Sequence, residues 1–132
     1  MPLVISLPGL KPGRSKSLVE LVDLFPTLSA AAGLQAPGGL HGTSLLPILN
    51  DPAARVKESA LSIHSSGTSM RTASWTYTRY KDGSEELYDM KNDPGQFTNR
   101  ANDAESAKTL AGQRKAFDKR LRASDLKPAR LR

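Results

Sequence analysis

The order of apolar and polar residues along the chain predicts a short first strand followed by helices. Residues 3–7 are Leu-Val-Ile-Ser-Leu, and the run stops at Pro8-Gly9. A short, almost wholly apolar run is typical of a strand buried on both faces inside a parallel sheet. We therefore expect residues 3–7 to form such a strand, followed by a loop.

Two short helices are predicted next, each beginning at a capping residue. Asp23 and Ser44 each stand three residues before a proline. A proline in the first turn lacks only an N–H group that has no partner within the helix. Asp23 is expected to cap a helix that runs to about Ala32, with Gly33 in the left-handed conformation. Ser44 is expected to cap a second helix that ends near Asn50.

From residue 59 onward the pattern changes to the two-residue period of strands. Residues 60–63 form a short candidate strand, and residues 71–80, rich in Thr, Trp and Tyr, form the longest one. Asp82-Gly83 is a strong hairpin signal, so residues 85–90 are expected to return as the next strand. The sequence therefore predicts an antiparallel sheet of three or four strands.

A C-terminal helix is predicted to cover this sheet. Asp103 precedes residues 104–122, in which apolar residues recur on one side at Leu110, Phe117 and Leu121. Trp75 and Tyr77 share one face of the predicted central strand. We expect both rings to pack in the core between the sheet and this helix.

The formal net charge of +6 belongs to one end of the chain. Residues 111–132 hold eight basic and two acidic residues, whereas the first 110 residues hold eleven of each. A basic segment raises the possibility of nucleic-acid binding. Its single aromatic residue, Phe117, gives no stacking pattern, and basic side chains also suit the end of a helix. A solvated helix face followed by a basic tail is the favoured interpretation.

Composition excludes several classes of site. The 132 residues include no cysteine, which excludes disulfide scaffolds, thiolate zinc sites and cysteine nucleophiles. They include two histidines, too few for a histidine-rich metal cluster. No phosphate-binding loop or nucleophile elbow occurs, and no apolar run reaches the roughly 20 residues of a membrane span. The residues by themselves indicate an α+β piece without a complete active site.

Five strings, by their order and spacing, give the chain a family resemblance. They are LVELVDLFPTL (18–28), LHGTSLLPIL (40–49), MRT (70–72), ELYD (86–89) and NDP (92–94). Over about residues 2–121 the chain resembles the type I sulfatases, in particular their iduronate-2-sulfatase-like and choline-sulfatase-like branch.

The resemblance implies an alkaline-phosphatase-like α/β fold, in which a large domain precedes a small C-terminal subdomain. This chain is then an α+β C-terminal fragment with a small antiparallel sheet packed on a C-terminal helix. Residues 1–55 are expected to supply a terminal strand and helices of the large domain. Residues 56–122 are expected to form the subdomain, and residues 123–132 are expected to form a basic disordered tail.

The resemblance also implies which groups this chain lacks. The family uses calcium and a formylglycine made within a Cys/Ser-x-Pro/Ala-x-Arg motif, and no such motif occurs here. Its catalytic residues and metal ligands lie upstream of the matched region, so none is expected in this chain. The expected function is the C-terminal portion of a sulfuric ester hydrolase, which closes the fold, shapes part of the substrate pocket and is inactive alone.

Two other functions stay open: a non-catalytic binding module, and a fragment of a related phosphatase or phosphonate hydrolase. The expected partners are a sulfate ester, either a small molecule or a saccharide, and the missing catalytic domain. Neither nucleic acid nor a membrane is expected as a partner, and the fragment is expected to self-associate. The sequence indicates no compartment, although the family is often periplasmic, secreted or lysosomal.

Two residues are candidate substrate contacts. Arg71 is expected to open the central strand beside a loop at residues 62–69, where a guanidinium suits an oxyanion. The alternative is a surface arginine paired with a carboxylate such as Asp89. His64 lies in the same loop and either faces the substrate or has no function.

Two departures from the family pattern affect these expectations. The family often has Glu at the position of Gln96 and Leu at the position of Arg100. An arginine in place of a packed leucine is expected to weaken the packing of the turn that contains these two residues. Some relatives carry Gly-Asn-His before the Arg-Thr pair, where this chain has Gly-Thr-Ser at 67–69. A substrate-contacting histidine from that loop is therefore absent.

Overall fold

The computed structural model describes residues 3–124, which divide into two compact units after residue 58. The first unit contains a 3-10 turn, Leu21–Asp23, that leads directly into helix α1, Leu24–Ala31, and a short helix α2, Leu46–Asn50. Helix α1 ends as predicted, because Gly33 has a positive φ of 70°. Helix α2 also ends at the predicted residue.

The strand predicted for residues 3–7 is wrong. These residues have no regular secondary structure, and Val4 is 89% exposed. A strand buried on both faces needs a paired strand on each side for its N–H and C=O groups. None of the residues described between 3 and 58 forms a strand that could pair with it.

The caps of both helices differ from the prediction. The helical segment begins three residues earlier than expected, because the Asp23 carboxylate accepts the backbone N–H of Glu20 at 2.8 Å. Glu20 and Asp23 thus form a reciprocal capping box around the 3-10 turn. Helix α2 begins two residues after Ser44, whose hydroxyl accepts the Leu46 N–H at 3.4 Å.

The second unit is a four-stranded antiparallel sheet with one long helix. Its strands follow the chain order, with each strand paired to the next. They are β1 (Ser59–Ile63), β2 (Gly67–Thr72), β3 (Trp75–Tyr80) and β4 (Glu85–Asp89). A 3-10 turn, Ala104–Ser106, leads into helix α3, Ala107–Ala123, close to the predicted bounds.

The single strand predicted for residues 71–80 is wrong, because the chain reverses within it. The Thr72 hydroxyl accepts the Trp75 N–H at 3.0 Å and donates to the Trp75 carbonyl at 3.1 Å, which closes a tight turn. Arg71 therefore lies near the end of β2 and pairs with Thr76 of β3. The predicted hairpin at Asp82-Gly83 is confirmed, with a φ of 88° at the glycine.

The core of this unit lies between the sheet and α3, as predicted. Met70, Tyr77 and Leu87 come from three adjacent strands and share a cluster with Leu110 and Phe117 of the helix. The Tyr77 and Phe117 rings meet edge to face, with centroids 5.1 Å apart. Trp75 is partly buried against the same cluster.

The turn after β4 remains docked despite the departure at Arg100. The Arg100 backbone N–H donates to the Leu87 carbonyl at 2.8 Å, while its guanidinium bonds Asp103 at 3.2 Å. Gln96 takes a positive φ of 58° in this turn. No helix in the described part of the chain is long and apolar enough to cross a membrane.

Candidate functional site

Arg71 lies on the sheet face opposite α3. Its neighbour Met70 is on the core face, and successive strand residues alternate between faces. The Arg71 guanidinium donates to the Thr76 hydroxyl at 3.2 Å, and burial lowers the pKa of the guanidinium. Among residues 3–124, no carboxylate lies within ion-pair distance of it.

The alternative pairing of Arg71 with Asp89 is therefore wrong. The Asp89 carboxylate accepts the backbone N–H of Lys91 at 2.9 Å and the side-chain amide of Asn92 at 2.8 Å. These hydrogen bonds lower the pKa of Asp89 and hold its carboxylate in the turn after β4.

Four hydroxyl-bearing residues and one carboxylate share this face of the sheet with Arg71. They are Ser69, Thr76, Thr78, Tyr88 and Glu86. Thr76 and Thr78 are buried, and the Thr78 hydroxyl donates to the Ser69 hydroxyl at 3.1 Å. Thr76 pairs with Tyr88 across the β3–β4 ladder. A guanidinium with a hydroxyl beside it suits a polar ligand that carries negative charge.

His64 is exposed in the turn between β1 and β2. Its Nδ1 lies 2.9 Å from the Ser66 hydroxyl, and its ring meets the edge of Tyr80 with centroids 6.2 Å apart. Arg71 pairs with Ala60, four residues before His64 along β1. At 3.3 Å per residue, His64 and Arg71 are about 13 Å apart along the hairpin. The structure does not bring the two candidate residues together.

An ionic cluster ties the other end of the sheet to α3. Arg114 bonds the Glu85 carboxylate through two nitrogens, one of them at 2.9 Å, and the Tyr77 hydroxyl donates to the same carboxylate. This contact with Arg114 lowers the pKa of Glu85. Arg79 lies over the Phe117 ring at 4.7 Å and bonds Asp118 at 2.8 Å. Sequence patterning could not find this cluster, because its partners are far apart in the chain.

A polar cavity of about 410 Å³ borders this cluster. Its lining includes Glu85, Arg114 and Asn99, together with Tyr80, Gly83, Ser84, Glu86, Ala101 and Asn102. Glu85 and Arg114 neutralise each other, and Asn99 binds the Leu87 N–H and the Glu85 carbonyl. The Glu86 carboxylate accepts the Tyr80 hydroxyl at 3.0 Å. The charged groups that line this cavity are therefore bonded to the sheet and to α3.

In the first unit, Asp23 joins three segments of chain. Its carboxylate accepts the Thr43 N–H at 2.8 Å and bonds the Lys57 ammonium, which also bonds Glu20 at 2.5 Å. Asp23 is fully buried. A side chain at Gly42 would come within 1.9 Å of a backbone carbonyl, so only glycine fits there. The strings at 18–28 and 40–49 thus include residues that hold this unit together.

One side of α1 and its preceding turn is apolar and uncovered. Leu21, Phe25 and Leu28 recur at helical spacing and are 66%, 56% and 61% exposed. Leu24, which lies between Leu21 and Phe25 in the chain, is half-buried. Large apolar side chains exposed on one side of a helix are typical of a surface that another element covers.

A family model described as "N-sulphoglucosamine sulphohydrolase, C-terminal" matches residues 1–124. The chain belongs to this sulfatase family. Human arylsulfatase K is 33% identical over 116 residues, which cover 75% of this chain and 22% of the human protein. The chain thus spans about a fifth of the curated relatives it matches.

Solved structures agree with the family assignment. A 2-O GAG (glycosaminoglycan) sulfatase is 34% identical, with a TM-score of 0.72 over 78% of this chain and 24% of that one. A phosphonate monoester hydrolase from Silicibacter pomeroyi is 25% identical, with a TM-score of 0.73 over 89% of this chain and 28% of that one. The chain therefore has the C-terminal architecture of the alkaline-phosphatase-like fold.

The residues present do not fit the calcium and formylglycine that the sulfatase family implies. No group of three or more metal-ligating side chains occurs among residues 3–124. The sequence contains neither a cysteine nor the motif in which a serine is converted to formylglycine. No chemical step can therefore be assigned to the residues of this sulfatase segment.

Proposed function

We propose that this chain forms the C-terminal part of an enzyme that hydrolyses sulfate esters of saccharides. The family match over residues 1–124 carries this proposal. The similarity to a 2-O GAG sulfatase supports an anionic saccharide as the substrate. In this proposal the nucleophile and the metal belong to the upstream α/β region, and this chain closes the fold around them.

We infer that Arg71 binds an anionic group of the saccharide that is not hydrolysed, a carboxylate or a second sulfate. The supporting observation is its half-buried guanidinium, which has a hydroxyl partner and no carboxylate partner among the described residues. A guanidinium binds such groups through two parallel hydrogen bonds and stays charged at any working pH. His64, about 13 Å away along the hairpin, is assigned a contact with a more distant part of the same saccharide.

The exposed side of α1 supports a role as part of a larger enzyme rather than an independent module. Leu21, Phe25 and Leu28 would be costly to leave in water, and an upstream α/β region is the surface that would cover them. A phosphonate ester hydrolase is the second candidate, because such an enzyme superposes on this chain with the same quality as the sulfatases.

Steady-state kinetics of the enzyme that joins this chain to its α/β region tests the proposal. Arg71→Gln should raise KM for a sulfated uronate disaccharide by about tenfold or more, because a hydrogen bond to a charged group is lost. Arg71→Gln should leave the hydrolysis of p-nitrophenyl sulfate unchanged. The matched control is Arg55→Gln, at an exposed position, which should change neither activity. An enzyme that hydrolysed phosphonate esters in preference to both sulfates would support the second candidate instead.

A further inference from the structure

Four cations form a straight stripe along α3. We call Lys108, Lys115, Lys119 and Arg122 the α3 basic stripe, and all four are exposed. At 3.6 residues per turn they fall within about 60° of one another around the helix axis. At 1.5 Å per residue the stripe is about 21 Å long.

The stripe faces away from the sheet. Leu110 and Phe117, which bury the helix against the sheet, lie on the opposite side of α3. Because Arg71 lies on the far face of that sheet, the stripe is separate from the site proposed for Arg71. It is therefore a second surface and not an extension of the first.

The charge of the stripe is not compensated within the described part of the chain. Asp118 is the one acidic residue of α3, and it bonds Arg79 at 2.8 Å. The basic residue Arg114 is paired with Glu85, whereas no carboxylate among residues 3–124 is within ion-pair distance of any stripe member. Lys115 and Lys119 are like charges four residues apart, an arrangement that destabilises a helix.

We propose that the α3 basic stripe docks a sulfated polysaccharide chain, outside the substrate pocket. The proposal rests on the proposed sulfatase function for the choice of polymer. Regularly spaced anionic groups along such a chain complement a row of cations of this length. Nucleic acid is disfavoured because the exposed residues of α3 include no aromatic side chain for base stacking.

Binding of heparin, used as the sulfated probe, tests the proposal at several salt concentrations. The stripe variant is K115Q/K119Q/R122Q. The control variant, R55Q/K81Q/K91Q, removes the same number of charges at exposed positions off the helix. The stripe variant should bind heparin at least tenfold more weakly. The slope of log K against log salt concentration should be smaller in magnitude by roughly two to three, because three charges are removed. The control should change by less than about twofold.

Equal losses in the two variants would overturn the proposal, because binding would then follow net charge alone. Duplex DNA that bound as tightly as heparin, with the same sensitivity to the stripe variant, would assign the stripe to nucleic acid. K115R/K119R keeps the charge and should retain binding, and far-ultraviolet circular dichroism checks the fold of each variant. The assay contains no hydrolysis step, so a failure of the stripe to bind heparin would leave the sulfatase proposal intact. An enzyme that was inactive but still bound heparin through the stripe would reject the sulfatase proposal and not the stripe proposal.

Discussion

The Thr76 hydroxyl accepts a hydrogen bond from the Arg71 guanidinium at 3.2 Å across the β2–β3 pair. Thr76 is itself buried, so this contact orients a cation that has no carboxylate partner among the described residues. A cation that is oriented but not neutralised can bind an external anion without first breaking an ion pair. In the substrate contact proposed for Arg71, Thr76 is therefore a positioning residue.

Thr76→Val should weaken substrate binding without changing the chemical step. In the joined enzyme we expect KM for a sulfated uronate disaccharide to rise roughly threefold to tenfold, about 0.7 to 1.4 kcal/mol, with kcat unchanged. Thr68→Val is the matched control, because Thr68 is equally buried but lies on the core side of β2 with Met70. A KM unchanged by T76V, or raised equally by T68V, would contradict this role.

Lys57→Met should destabilise the first unit selectively. It leaves the buried Asp23 carboxylate without its cation, at a cost of about 3–5 kcal/mol. Hydrogen exchange of the Thr43 and Leu45 amides, which are bonded to Asp23 and Thr27, reports the effect. The fluorescence of Trp75, in the second unit, is the internal control, and Lys16→Met, at an exposed position, should leave both signals unchanged.

Glu85→Gln should remove part of the acid sensitivity of the second unit. Arg114 lowers the pKa of Glu85 in the folded state. The ionised Glu85 carboxylate therefore stabilises the fold above the ordinary carboxyl pKa, and this stabilisation is lost as the pH falls through the pKa that Glu85 has in the folded state. The Tm followed by Trp75 fluorescence should therefore fall less steeply below about pH 4.5 in E85Q. The control is Glu105→Gln, in the exposed 3-10 turn, which should behave as the unsubstituted chain. Parallel curves of Tm against pH for all three proteins would show that Glu85 has no part in the acid sensitivity.

Polar substitution of the exposed side of α1 should prevent association of the isolated chain. Light scattering of L21Q/F25Q/L28Q should give the monomer mass at concentrations where the unsubstituted chain associates. The control replaces exposed apolar residues elsewhere, in the variant V4Q/I63Q/F97Q. Association that persists in the α1 variant and disappears in the control would place the interface elsewhere.

Local patterns predicted those elements whose stabilising contacts are near in sequence. Gly33 ended α1 and Asp82-Gly83 closed a hairpin because both depend on positive φ values that glycine supplies. The two-residue and 3.6-residue periods placed Tyr77 and Phe117 in one core. The same periods failed at residues 71–80, where one side chain, Thr72, closes a turn inside a segment of high β propensity.

The candidate site was only partly predictable. The oxyanion chemistry of Arg71 follows from its residue type, but its lack of a carboxylate partner depends on how Asp89 is held in the next turn. The separation of His64 from Arg71 depends on the register of β1 and β2, which the sequence pattern did not specify. The buried contacts of Asp23 join residues up to 34 positions apart, beyond the reach of any local rule.

Sulfate release, measured for the 132-residue chain alone and for the chain joined to a sulfatase α/β region, tests the proposed function of the chain. We expect the joined protein to release sulfate from a sulfated uronate disaccharide. We expect the chain alone to release none, because its sequence lacks the formylglycine motif and residues 3–124 contain no group of three or more metal-ligating side chains. Turnover by the isolated chain, or a folded joined protein that releases no sulfate, would contradict the proposed function.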